Sequence, residues 1–130
     1  MPEENINTYI IDTSFILAFL LPDERSGQVE EIFKQYALGK VNFIAPYILP
    51  FEVVNSLKQA IPKRISKQSA RLLVQAFLKH KIELKKVELE EVFDLSLTKN
   101  LSVYDASYLY LAKKHHLKCL SLDKHLQNLS

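Results

Sequence analysis

The chain reads as a three-layer α/β domain: a mainly parallel sheet of four or five short strands with helices on both faces. Three observations predict this. Short apolar runs at residues 9–11, 42–45, 82–87 and 118–120 are separated by segments of helical length that carry apolar stripes. Strands divided by helices need crossover connections, and crossovers join parallel neighbours. The first run, Tyr9-Ile10-Ile11, is apolar without alternation, as in a strand covered on both faces. Finally, 130 residues with 48% apolar and 25% charged side chains amount to one globular domain, residues 1–130, with no repeats, linkers or low-complexity stretches.

Each element has a local cause. The first strand stops on Asp12, and Thr13 and Ser14 bring hydroxyls to the start of the helix that follows. Pro22-Asp23 breaks that helix. A second helix is predicted over 25–38, where Val29, Ile32, Phe33, Tyr36 and Ala37 follow the i, i+3, i+4, i+7, i+8 stripe. Gly39 suits its C′ position. Pro46 ends the second strand, and Pro50 falls in the first turn of the next helix, where its missing N–H costs nothing. That helix carries Glu52, Val53, Val54, Asn55 and Leu57 and stops before Pro62. Ser66 opens an amphipathic helix with Ala70, Leu73, Val74, Phe77 and Leu78 on one face. Lysines on the outer side of 82–87 mark an edge strand. Leu89, Val92, Phe93 and Leu97 make a further helical stripe ending near Asn100. Ser102-Val103-Tyr104-Asp105 has the form of a capping box with Asp in place of Glu. The helix it opens, through Lys114, is apolar on most sides and therefore expected to be buried. Asp123 starts a terminal helical turn after the last strand.

Composition also excludes. A net charge of +2 does not by itself indicate a nucleic-acid binder. A single cysteine, Cys119, rules out an internal disulfide or a cysteine zinc site and suits a reducing cytosol. The start, residues 1–5, is acidic where a signal peptide is basic, and the seven residues before Thr8 are a lead-in without an assigned role. The apolar run at 15–21 falls far short of the ~20 residues of a membrane span. A cytoplasmic protein is expected. Two glycines leave no room for a glycine-rich phosphate loop or a dinucleotide fingerprint.

Four acids share one address. Asp12 and Asp123 follow strands, Glu52 lies in the helix after the second strand, and Asp105 starts a helix of its own. Singly, each has a structural explanation: Asp12 and Asp123 as N-caps, Asp105 in its capping box, Glu52 facing a helix dipole. Together they change the reading. Helices that follow parallel strands start at the same rim, and ligands of open α/β sheets bind outside the carboxyl ends of the strands. Asp105 belongs less securely, because its helix precedes a strand. Two carboxylates ~5 Å apart at an effective dielectric of ~20 repel by about 3 kcal/mol. Helix N-termini offset ~0.3–1 kcal/mol each, and a divalent cation offsets far more. An all-oxygen ligand set selects Mg²⁺ or Mn²⁺.

The successive segments IIDTSFILAFL, PYILPFEVVNSL, LSVYDASYLYLAKK and CLSLDKHL resemble the motifs of PIN-domain ribonucleases, most closely the VapC-type toxins of toxin–antitoxin pairs. The similarity covers essentially the whole chain and implies a PIN-like fold. On that resemblance, Asp12, Glu52, Asp105 and Asp123 fall on the acidic metal-binding positions. Ser14 takes the hydroxyl position that supports the first acid, Asn55 is a polar neighbour of the second, and Ser121 fills the hydroxyl position before the last. No acid is missing. The resemblance implies Mg²⁺- or Mn²⁺-dependent hydrolysis of RNA, a homodimer, and a cognate antitoxin whose tail blocks the acidic crevice.

Substrate contacts are expected from Lys58, Lys63, Arg64, Lys67 and Arg71, the densest basic cluster, although a solvated helix face is the default reading of such charges. Tyr47 and Tyr104 stand near Glu52 and Asp105 and could stack on bases, although tyrosines at helix starts more often pack. His80, His115, His116 and His125 form no metal-protease motif and are read as surface or structural residues. A receiver-type phosphoacceptor domain is a rival reading, with Lys124 near the last strand, but no acid other than Glu88 follows the third strand. A non-catalytic PIN-like binding module is a second rival, against which the complete acid set counts.

Overall fold

The structure is a computed structural model that describes residues 6–129; the acidic start, residues 1–5, and Ser130 lie outside them. Its sheet has four strands: β1 (Asn7–Ile11), β2 (Val41–Pro46), β3 (Glu83–Lys85) and β4 (Cys119–Leu120). They lie in the order β3-β2-β1-β4 and every pairing is parallel. β1 is therefore interior, flanked by β2 through Ile10↔Ile44 and by β4 through Ile11↔Leu120. Ile10 and Ile11 are wholly buried, as the unbroken apolar run predicts.

The connections explain the layers. From β1 the chain passes through α1 (Thr13–Leu20), a 3-10 turn (Pro22–Glu24) and α2 (Gly27–Ala37) to β2. It continues through α3 (Leu49–Gln59) and α4 (Lys67–Leu78) to β3, moving the same way across the sheet. It then reverses through α5 (Leu89–Lys99) and α6 (Val103–His115) to β4 on the far side of β1, and closes with α7 (Lys124–Leu129). Crossovers are right-handed, so reversing direction moves α5 and α6 to the opposite face from α1 to α4. No described helix is long and apolar enough to cross a membrane.

Several boundaries shift for local reasons. Ser26 caps α2 by accepting from the Val29 amide, so Arg25 stays outside the helix and lays its guanidinium over Phe19, 4.5 Å from the ring centroid. Pro46 is the last residue of β2 rather than its terminator, opposite Lys85. β3 keeps only three residues of the expected 82–87, at an edge as its lysines suggested. Ser66 and Ser102 cap α4 and α6 as predicted. Gly39, with φ 75°, takes the left-handed position after α2 that favours glycine. Two stripes differ from expectation: Leu78 is exposed on α4, and on α5 Val92 turns inward while Leu89, Phe93 and Leu97 face solvent. α6 is the most buried helix, with Ala106 through Ala112 all covered, and packs against β1, β2 and β4.

Candidate active site

Because the chain runs one way from β1 to β3 and then crosses to β4, the strand order reverses between β1 and β4. A crevice at that reversal, outside the carboxyl ends, is where this architecture binds ligands. A cleft of about 260 Å³ opens there, lined by Asp12, Thr13, Ser14, Leu17, Glu52, Asp105, Tyr108 and Asp123. The four predicted acids, from four elements, thus meet in one cleft.

Asp12 is the most enclosed, at 6% exposure. Its Oδ1 accepts from Ser14 Oγ at 2.7 Å and from the Phe15 amide at 3.1 Å, capping α1; its Oδ2 accepts a short hydrogen bond from Ser121 Oγ. The Leu122 amide donates to Ser14 Oγ and the Asp123 amide to Ser121 Oγ. Two serines far apart in sequence therefore tie the end of β1 to the turn after β4. Asp123 caps α7 by accepting from the His125 amide at 3.0 Å. Ser102 Oγ accepts from the Asp105 amide at 3.0 Å, closing half of the expected capping box. At Asp12 and Asp123 the structural explanation and the shared site hold together, because the cap itself aims the carboxylate.

Two polar residues at the cleft, Tyr108 and Thr13, lie outside the predicted site set. Tyr108 lies one turn after Asp105 and is buried, and its hydroxyl donates to Glu52 Oε1 at 2.6 Å. Thr13 Oγ1 donates to the same oxygen at 3.2 Å. In the sequence Tyr108 reads as one more apolar position of a buried helix. The signal that distinguishes it is its i+3 spacing from Asp105, which puts both on one helical face.

The electrostatics are those of carboxylates short of positive charge. Burial raises the Asp12 pKa, against the hydrogen bonds from Ser121, Ser14 and Phe15, and the charge of Asp105 adds to the rise. Burial also raises Asp105, followed by the charge of Asp123; Ser102 and the nearby His125 ring pull the other way. His125 is exposed, as expected of a surface residue, and stands close enough to Asp105 to act on its carboxyl. Burial, then the charge of Glu52, drives the Tyr108 phenol far upward, so it stays a neutral donor. The same kind of burial, with the charges of Asp12 and Asp105, raises the Cys119 thiol beneath the site. Among the described residues no lysine or arginine lines the cleft.

These features fit a divalent cation. Among the described residues no three Asp, Glu, His or Cys side chains converge into a ready-made cage. A hydrated divalent cation, held through few carboxylates and several waters, would suit such an open set better than a fully dehydrated ion.

The other predicted residues part company. Asn55 is exposed and shares the outer face of α3 with Phe51, Val54 and Lys58, lining a separate apolar depression. Arg64 is held by ion pairs to Asp23 and Glu24, so it is not a free phosphate contact. Lys58, Lys67 and Arg71 border a groove between α3 and α4, and Lys63 is exposed nearby. Tyr47 and Tyr104 are exposed and line no part of the cleft. Of the other histidines, His80 sits among the rings of Phe19, Phe33 and Tyr36.

A parallel α/β sheet whose strand order reverses at an acidic cleft defines the class of open α/β domains that carry their site at the switch point. Residues 9–130 match the family model of the PIN domain, and the chain belongs to that family. It is 32% identical over 122 residues to Ribonuclease VapC3 of Pyrobaculum aerophilum, an alignment covering 90% of each chain. Among solved structures it is similar to PAE2754 from Pyrobaculum aerophilum, with a TM-score of 0.72 at 21% identity over 99% of this chain and 89% of that one. It is also similar to Mycobacterium tuberculosis VapC20, a toxin that cleaves the sarcin-ricin loop, with a TM-score of 0.65 at 12% identity over 92% and 93%. The last two likenesses bear on fold alone.

Proposed function

We propose that this chain is a Mg²⁺- or Mn²⁺-dependent endoribonuclease and the toxin of a VapBC-type pair, acting in the cytoplasm. The observation that carries the reading is the meeting of Asp12, Glu52, Asp105 and Asp123 in one cleft without a basic side chain among its lining residues. Asp12, Asp105 and Asp123 would hold the ion, directly or through water, and Glu52 would bind it or orient the attacking water. When bound, the ion supplies a water of lowered pKa and neutralises charge on the phosphate. The chain's own side chains do the rest. Ser14 and Ser121 fix Asp12, Tyr108 and Thr13 fix Glu52, and the helix starts of α1, α3 and α6 turn their partial positive charge toward the cleft.

RNA is a polyanion approaching an acidic cleft, so cations are needed beside it. Lys58, Lys63, Lys67 and Arg71 remain for that role, and Arg64 does not. A homodimer belongs to the same reading, and the exposed row Leu89, Phe93 and Leu97 on α5 is apolar surface in its favour. So does a cognate antitoxin that covers the cleft. The receiver-type rival loses ground because the third strand, β3, is an edge that ends on Lys85, followed by Lys86.

Incubation with total RNA and Mg²⁺ or Mn²⁺ is expected to give discrete cuts with 5′-phosphate and 3′-hydroxyl ends. EDTA and Asp12→Asn should each abolish them. Products ending in 2′,3′-cyclic phosphate, or cleavage that survives EDTA, would overturn the proposal.

A further inference from the structure

Glu52 is held unlike a free acid at a helix start. It lies in the first turn of α3, where nothing in the local sequence fixes its side chain. Two hydroxyls from other elements both donate to one of its oxygens: Tyr108 on α6 at 2.6 Å and Thr13 on α1 at 3.2 Å to Oε1. Those hydroxyls are themselves 3.4 Å apart. A carboxylate oxygen has two acceptor positions, so Oε1 is filled. No described donor reaches Oε2.

Asp12 is held in the same manner. Its Oδ1 takes the Ser14 hydroxyl and the Phe15 amide, while its Oδ2 takes only Ser121. In both acids one oxygen is saturated by the protein and the other keeps capacity. At Asp12 neighbours in sequence do most of this. At Glu52 it depends on a tyrosine 56 residues away.

We infer that Tyr108 and Thr13 are positioning residues that present Glu52 to the cleft through Oε2 alone, so that it acts as a one-oxygen ligand or water acceptor. The inference rests on the nuclease reading above and deepens it. A two-oxygen grip by Glu52 would need Oε1 to shed both donors. One-oxygen ligation suits Mg²⁺, which demands near-ideal octahedral geometry, whereas Ca²⁺ accepts carboxylates through one oxygen or two. The pair therefore also selects between cations.

The test uses the full chain and four variants. Tyr108→Phe keeps the buried ring and removes the donor; Thr13→Val removes the second donor; the double variant removes both; Thr13→Ser restores a hydroxyl. Losing outer-sphere partners of this kind typically costs about 10–100-fold in metal affinity or activity. Tyr108→Phe should lower kcat on RNA within that range while KM for RNA stays within about twofold. Calorimetry without RNA should show Mg²⁺ affinity falling while Ca²⁺ affinity holds or rises. The double variant should widen that gap, and Thr13→Ser should recover the cleavage that Thr13→Val loses.

An unchanged Mg²⁺-to-Ca²⁺ affinity ratio in both Tyr108→Phe and the double variant would overturn the inference. So would a loss carried wholly in KM. If Tyr108→Phe fails to fold, by loss of its cooperative melt, the Thr13→Val and Thr13→Ser comparison decides. Wild-type protein that neither cuts RNA nor takes up Mg²⁺ sinks the nuclease reading itself. Wild-type protein that cuts, with variants that cut equally well, sinks only the role given to Tyr108 and Thr13.

Discussion

A carboxyl group at 6% exposure, as Asp12 is, carries a cost when ionised that its three hydrogen bonds only partly offset, which is why its pKa lies above the usual value. Asp105 is raised for the same first reason, with Asp123 adding repulsion. The sign of the consequence follows. A carboxyl whose folded pKa exceeds its unfolded value binds protons more tightly in the folded state, so its contribution is most favourable below the unfolded value of 3.8 and is lost as pH rises through the folded pKa. In metal-free protein these two groups should make stability fall with rising pH in the window just above 3.8, and Asp12→Asn should flatten that fall. In EDTA at neutral pH, Asp12→Asn should melt at or above the wild-type temperature although it cuts no RNA. Thermal melts across pH, with and without the substitution, check both expectations. A variant that melts well below wild type in EDTA would mean that Asp12 serves mainly as a cap. The acids themselves were legible in the sequence because each stands where an apolar run gives way to a helix start. Tyr108 was missed, because a phenol in a buried helix looks apolar unless its i+3 spacing from Asp105 is weighed. The ion pairing of Arg64 was not legible, since its partners Asp23 and Glu24 lie on a distant turn.

At the scale of elements, the ring cluster around Phe33 joins pieces that the sheet alone would not. Phe33 on α2 stacks on Phe19 of α1, with centroids 4.0 Å apart and planes 4° from parallel, and tilts against Phe43 of β2 at 5.3 Å. Tyr36 stacks on Phe43 at 4.7 Å, and its hydroxyl accepts from the Lys81 amide just beyond α4. His80 closes the cluster edge-on to Phe33 at 5.8 Å, its Nδ1 at 3.1 Å from the Ala76 carbonyl. Burying such a ring and then deleting it typically costs about 3–5 kcal/mol, against total stabilities of about 5–15 kcal/mol. Phe33→Ala should therefore lower the urea midpoint by a large fraction with little change in slope. None of these rings lines the cleft, so cleavage per folded molecule should be retained at low temperature. Loss of cleavage in a fully folded variant would show that the cluster also sets the cleft. The inward face of α2 was legible from its spacing, since Val29 and Phe33 are buried as the stripe requires. On α5 the same kind of stripe pointed the wrong way. Periodicity identifies a row of apolar side chains but not what covers it, and here Leu89, Phe93 and Leu97 stay more than half exposed.

For the whole molecule, the strand order decides everything downstream. Alternating strands and helices gave a parallel sheet from sequence alone, but not which strand would be central. With β1 inside and β4 on its far side, Asp12 and Asp123 end neighbouring strands, and the buried α6 delivers Asp105 to the same rim. Asp105 was the least secure member in sequence because its helix precedes a strand. What brings it in is the burial of nearly every face of that helix between α5 and the sheet. The fold thus assembles negative charge that the unfolded chain keeps apart, and a cation bound there favours the folded state by mass action. At a free Mg²⁺ concentration 100 times its dissociation constant, the gain is about 2.7 kcal/mol. For a domain of this size that is a rise in melting temperature of about 10 °C. Asp123→Asn and Asp12→Asn should each remove most of the rise, and Na⁺ at matched ionic strength should not reproduce it. If Na⁺ did reproduce it, the acids would be responding to screening alone and the cleft would hold no specific ion. If Mg²⁺ raised the melting temperature equally in wild type and both variants, the ion would be binding elsewhere on the molecule.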